Sequence, residues 1–395
     1  MTELARLAMV MVFALASAAV GAATLTVGIV QRADDDRLDP ARVALAYPGH
    51  PGGRARDAVD MAIEESRFEL QAAGLQVNVG VRDVTSAEEA SGQLRQLEKA
   101  GAVAVLLDLP AAWLAAGAAA TAAMPMINVG ESADAPRQQL CRANLFHTLP
   151  SDRMRADALA QALLARKWMR VLLIHGPGAD DATRLALAQG ALKRYGLRQV
   201  AARPFKPSAD PRERDLANPL LLTGPAAVGG DYDVVWVVDG DGEFARTLPY
   251  RVALPRPVVG DAGMTAQAWA PHFERYGAPQ LERRFMRAAQ RPMTSHDWAA
   301  YIATKAVLQA ALAQPAQPSA AKLNAALNQP GFTLDGVKGV RLSFRAWDHQ
   351  LRQPLLLTDG VGVIGTAPEA GVLHPKNVLD TLGTDAPESP CRSAP

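Results

Sequence analysis

Short apolar runs alternate with amphipathic stretches along most of the chain. Residues 25–31 (LTVGIVQ) are rich in β-branched side chains and read as a strand. A long polar loop follows, then a helix at about 54–72 with Ala58, Met61, Ala62 and Leu70 on one stripe. Residues 75–81 alternate as a strand. Residues 86–100 read as a helix with Ser86 as N-cap and Glu88 and Glu89 in the first turn, where the helix dipole favours carboxylates. Residues 102–107 (AVAVLL) are a continuous apolar strand, and an alanine-rich helix leads to another strand at 126–129. Strands apolar throughout, alternating with amphipathic helices, predict a parallel sheet covered on both faces.

The pattern then restarts. Ser151 caps a helix at 152–166, and 171–175 (VLLIH) is a strand. A helix at 180–195 ends at Gly196, and strands are predicted at 199–203, 233–238 (DVVWVV) and 256–259, with a helix at 243–252 between the last two. The last third differs: a long helix at 295–314 with Ser295 as cap, a Pro315/Pro318 linker, a helix from Ser319 to Ala326, and short strands at 339–344, 354–358 and 361–365. From Pro387 onward the composition predicts an irregular tail unless Cys391 pins it.

The N-terminus carries Arg6, an apolar run at 7–20, and small residues up to Ala23. That order reads as a secretory signal cleaved after Ala22 or Ala23, since the run is shorter than the ~20 residues needed to span a bilayer. About 370 of the 395 residues then remain, too many for one core, so two domains are expected. With 41 Lys and Arg against 40 Asp and Glu there is no global field, and nothing points to nucleic acid. The two cysteines, Cys141 and Cys391, suggest one disulfide in an oxidising compartment; two unrelated thiols are the other possibility.

Enzyme signatures are missing: no Walker A loop, HExxH, CxxC or GxSxG occurs. Gly176-Pro177-Gly178 joins a strand to a helix and could face an anion, though an ordinary tight turn fits as well. The seven histidines have no ligand spacing, and Asp34, Asp35, Asp36 and Asp39 miss the calcium-loop pattern and read as a solvated loop. More informative are acids at strand C-terminal ends: Asp108, Glu131, Asp239, Asp241 and Asp261. Ligands of open parallel sheets bind there, so these carboxylates mark a site for a donor-rich or cationic ligand, unless they are solvated or cap helices, as Asp180 and Asp181 would.

The segments LTVGIV, VLLIHGPGADDATRLALAQGALKRYG, DVVWVVDGDGEFARTL and SHDWAAYIATKAVLQAAL resemble type I periplasmic solute-binding proteins of ABC importers, in the leucine/isoleucine/valine-binding branch, over about 24–365. The segments LCRANLFHTLPSD, GVKGVRLSFRAWDHQLRQPLLL and LHPKNVLDTLGTDAPESPCR resemble the subgroup found with pyrroloquinoline quinone-dependent alcohol dehydrogenase systems. The resemblance implies an α/β fold of two Rossmann-like lobes joined by three crossing strands. Residues 24–147 and about 278–328 would form one lobe, 148–277 and about 329–365 the other, and 366–395 a tail. It also implies a periplasmic, non-catalytic receptor without cofactor that closes on a small solute and docks on an inner-membrane permease.

Expected site residues are Tyr47, Asp108, Glu131, Ser132, Asp180, Asp239 and Asp261, with no metal ligands. The sequence departs from the amino-acid binders where a Gly-Pro-x-Ser loop is usual: here 107–111 reads LDLPA, and the next loop reads NVGES. Acids in those loops would repel a ligand carboxylate. Two rival readings follow: a sensor or accessory protein of the alcohol-oxidation system that handles a metal or cofactor, and an enzyme on the same fold.

Overall fold

The computed structural model describes residues 23–391 apart from 209, 219–223 and 317; the predicted signal segment at 1–22 lies outside the described residues. Five parallel strands make the first sheet: β1 (Ala23–Arg32), β2 (Leu75–Val84), β3 (Ala104–Asp108), β4 (Met126–Asn128) and β5 (Leu145–His147), in the order β2-β1-β3-β4-β5. Four parallel strands make the second: β6 (Arg170–His175), β7 (Arg198–Pro204), β8 (Val234–Val238) and β9 (Val258–Gly260), in the order β7-β6-β8-β9. The apolar strands β3 and β8 are buried along their whole length, because helices cover both faces.

Each sheet reverses its strand order once, between β1 and β3 and between β6 and β8. The loops that follow those strands therefore diverge and leave a crevice at their C-terminal ends. The chain changes core three times. Leu149 packs in the first core and Met154 in the second; Ala266 belongs to the second and Ala268 to the first; Leu351 still packs in the first, and Leu355 enters the second. Two short antiparallel sheets accompany these crossings. One holds β10 (Thr265–Gln267), β14 (Leu355–Thr358) and β15 (Val363–Ala367); the other holds β11 (Leu334–Asp335), β12 (Arg341–Phe344) and β13 (Leu351–Arg352).

Several local expectations are corrected. The helix expected at 54–72 is two, Arg56–Glu65 and Arg67–Ala72, broken at buried Ser66, whose hydroxyl accepts from Lys305 Nζ at 2.9 Å. The helix expected at 243–252 is only a 3-10 turn, Ala245–Tyr250, since Pro249 within it lacks an N–H and bars a continuous α-helix. The cap of Ser295–Leu312 is Thr294, not Ser295: Thr294 Oγ1 and the Asp297 carboxylate bond each other's backbone N–H, and Ser295 instead bonds Gln267 Oε1 at 3.0 Å. The loop at 34–39 is not simply solvated. Asp35 is buried against Arg37, and Asp39 caps the helix Pro40–Leu45.

Ser86, Ser151 and Ser319 cap their helices as expected. Among the described residues no helix is long and apolar enough to cross a membrane. Cys141 and Cys391 form a disulfide with Cα atoms 5.1 Å apart. The tail it anchors is ordered by buried Arg345, which donates to Asp380 Oδ1 at 3.0 Å and to the carbonyls of Leu379 and Leu382. It touches both halves of the molecule: Gln138 Nε2 donates to Thr384 Oγ1 at 3.2 Å, and Gly383 N–H donates to Asp157 Oδ2 at 2.9 Å.

Candidate functional site

The crevices of the two sheets face each other. The first contributes the loop after β1, which carries Arg37, Arg42, Tyr47 and His50; the second contributes the loops after β6, β8 and β9. Contact between them is direct. Arg42 pairs with Asp241 at 2.5 Å. Tyr47 lies so close to Gly242 that a Cβ there would stand 3.0 Å from its ring, and its hydroxyl bonds Arg246. Gly242 has φ +84°, which lets the loop present bare backbone to the ring. Behind these contacts sits a cavity of about 50 Å³, lined by Pro48 from one side and Arg155, Arg184, Trp236, Val238 and Asp261 from the other.

The expected acids are at the crevice but are already engaged. Asp108, at the end of β3, accepts from Arg37 Nη2 at 2.6 Å, and Arg37 also holds Asp35 and the Gly130 carbonyl. Glu131 accepts the N–H of Ala111 at 2.7 Å and of Ala133 at 2.8 Å, so it caps the helix Ala111–Ala118. Ser132 gives its carbonyl to Asp152 N–H at 2.9 Å. Asp239 accepts from Ala245 N–H at 2.9 Å, and burial pushes its carboxyl above the usual range. Asp261 pairs with Arg184 and accepts Asp239 N–H at 2.7 Å.

Asp180 is exposed in the first turn of the helix Ala179–Arg194. Its neighbour Asp181 turns inward to the N–H of Gly178 at 3.2 Å and of Gly240 at 2.7 Å. The Gly176-Pro177-Gly178 loop thus faces a carboxylate of its own chain: a Cβ at Gly176 would lie 2.1 Å from Asp181 Oδ2. Of the expected residues, Tyr47, Asp239 and Asp261 gather around the contact between the halves. Asp108, Glu131 and Ser132 sit on the first-sheet side.

Sequence reasoning missed the cations. Burial works against the charge of Arg184, but Asp261 and Asp152 outweigh it and hold the guanidinium above its ordinary range. Arg155 is the opposite case. Burial dominates and lowers it, and its nearest acid, Asp152, is 3.9 Å from Nη1. His296 is held neutral, well below the usual imidazole range, by burial and by the positive Arg37 and Arg155. No motif marks these residues; they are ordinary arginines and a histidine near the N-terminal ends of helices.

Two facing parallel sheets, three crossings and a central gap decide the architecture. The fold is that of a type I periplasmic binding protein. Solved structures agree. A branched-chain amino acid ABC transporter periplasmic ligand-binding protein from Burkholderia xenovorans LB400 is 17% identical, with 93% of this chain and 99% of that one covered at a TM-score of 0.72. A periplasmic binding protein from Burkholderia mallei is 13% identical, with 94% and 99% covered at 0.68. An ABC transporter substrate-binding protein from Desulfitobacterium hafniense, in complex with Leu, is 16% identical, with 86% and 98% covered at 0.64. No family model matches the chain, and no curated protein is similar to it.

Proposed function

We propose that the protein is an exported, periplasmic solute receptor of an ABC importer. It closes on a small solute between its lobes and presents the closed form to an inner-membrane permease. The observation that carries this is the contact pair across the crevice, Arg42 with Asp241 and Tyr47 on Gly242, closing over a cavity of about 50 Å³ at the C-terminal ends of both sheets. Binding energy that differs between open and closed states is enough to drive such closure, with no covalent step. The subgroup linked to quinone-dependent alcohol oxidation is supported by the three long motifs alone, and components of that system are candidate partners.

A metal-handling role loses its motive, because the acids that suggested it hold Arg37, Arg184 or backbone N–H groups. The reading is tested through Trp236, which lines the cavity. The mature protein is titrated with amino acids, short alcohols and acids, quinone cofactor and calcium, and indole fluorescence is followed. At least one organic solute gives a saturable change that Trp236→Phe removes. A response to calcium alone would refute the receptor reading.

A further inference from the structure

A second cavity, of about 680 Å³, shares no lining residue with the one at the crevice. One of its walls is continuous: every residue from 361 to 368 lines it. Side chains of a strand alternate between two faces, so a cavity lying over one face would meet every second residue. Contact with each residue in succession places this cavity along the edge of β15. That edge is free. β15 is the outermost strand of its sheet and pairs with β14 alone, and no hydrogen bond from any other described residue reaches Val363–Ala367. Alternate residues of the strand therefore turn their N–H and C=O groups outward without a backbone partner.

Native sheets usually blunt such an edge with charge, proline or a covering loop, because an open apolar edge recruits other chains. Here no charged residue occurs between Asp359 and Glu369, and the one proline in that run, Pro368, stands past the end of the strand. Val361 and Ile364 on the strand side, and Tyr276 and Val340 on the facing wall at 272–276 and 338–340, are large apolar side chains left exposed around the same groove. Apolar surface gathered beside a free edge marks a docking site. Its chemistry describes the occupant. A row of outward backbone donors and acceptors is matched by an extended backbone, whose alternate side chains then meet the apolar walls. The strand wall carries no charge, and Glu274 and Arg275, exposed side by side on the facing wall, cancel, so the complementary segment is uncharged. A second copy of this chain does not fit, because its own β15 edge lies against the same facing wall, which stands where the other strand would have to approach.

We propose that β15 takes up an extended, uncharged segment of a partner protein, a terminal tail or a loop, as a fourth strand beside β10, β14 and β15, with its alternate apolar side chains against Val361, Ile364, Tyr276 and Val340. The site goes beyond the solute receptor and stands apart from it, since none of its residues belongs to the crevice. The test presents the mature, disulfide-intact protein to a phage-displayed library of random peptides of about ten residues, a length that covers the exposed edge. The best binder is synthesised, and its affinity is read by fluorescence anisotropy. Selected peptides share an uncharged centre with β-branched or aromatic residues at alternate positions. N-methylation of alternate backbone amides abolishes binding when it falls on the paired edge of the peptide and spares it on the other edge, a split that side-chain burial alone does not produce. Ile364→Lys with Thr366→Lys puts two charges on the edge and weakens binding by at least about tenfold. The Tm of that variant stays at the wild-type value, because both side chains are exposed.

A library that yields no binder, equal effects of the two methylation patterns, or undiminished binding by the double lysine variant would each overturn the proposal. Concentration-dependent dimers of wild type that the double lysine variant abolishes would overturn it in favour of a second copy. None of these outcomes bears on solute binding, so the receptor reading stands or falls by its own titration.

Discussion

Replacing Lys338 with methionine should flatten the dependence of stability on pH. Lys338 is 4% exposed beside the third crossing, with Nζ donating to Gln353 Oε1 at 2.9 Å and to the Pro354 carbonyl at 3.2 Å. Among the described residues no carboxylate pairs with it, and burial alone drives its amine well below the ordinary value of 10.5. Beyond those two neutral acceptors, its charged form has one further ally, the Trp298 ring 3.5 Å away. A desolvated cation–π contact is worth about 2 kcal/mol, whereas burying an unpaired ammonium costs several, so burial wins.

The folded-state pKa therefore lies below the unfolded one. Between the two values the unfolded chain holds one proton more, and stability rises with pH by about 1.4 kcal/mol per unit, the gain being complete above the unfolded value. From pH 7.5 to 9.5 wild type should gain up to about 2.7 kcal/mol relative to Lys338→Met. Denaturant unfolding of both proteins at several pH values reads this difference. The slope is the test, because methionine also leaves two acceptors without a donor and shifts the absolute stability by about 1–3 kcal/mol. Parallel profiles would show that Lys338 stays charged in the folded protein and refute the reasoning.

Other outcomes follow from single contacts. Cys141→Ser with Cys391→Ser opens a cross-link between residues 250 apart, and should lower stability by about 5 kcal/mol at the chain-entropy limit, measured by thermal unfolding with and without reductant. Glu131→Ala removes the cap of the helix Ala111–Ala118 and should cost about 1–2 kcal/mol while leaving solute affinity unchanged. Gly242→Ala places a methyl at φ +84° against Tyr47. The left-handed backbone costs about 1 kcal/mol in any state, but the ring contact exists only where the lobes meet, so affinity should fall and Tyr47→Ala should restore it in a double-mutant cycle.

Much of the fold was legible because a parallel sheet buries both faces, which turns β3, β6 and β8 into unbroken apolar runs. Two of the three-residue strands are different. β5 and β10 are too short to show any period, and they exist because neighbouring strands offer them partners. The helix Ala278–Ala289 was hidden by its charge: Arg283, Arg284 and Arg287 face outward, and the buried stripe of Ala278, Leu281 and Phe285 also holds Glu282. The disulfide was legible from number and compartment.

The site was half legible. Strand ends located its acids, but their partners lie far along the chain, Arg37 being 71 residues from Asp108 and Arg184 77 from Asp261. Which carboxylate is spent and which cation is left over depends on that pairing, and no local pattern encodes it. Arg155 looks in sequence like any arginine in a first helical turn. What sets it apart is that its Nε and Nη2 are buried without a hydrogen-bond partner among the described residues.

A receptor of this kind works only if its two lobes move against each other around a solute. Phe68 on the first lobe and Tyr250 on the second are 73% and 91% exposed, so each accepts a cysteine and a spin label without disturbing the core. Pulsed electron resonance on the Phe68→Cys, Tyr250→Cys double variant then gives the distance distribution between the lobes. A broad or longer distribution is expected without solute and a single shorter one at saturation. One unchanged distance in the presence of a bound solute would contradict that motion.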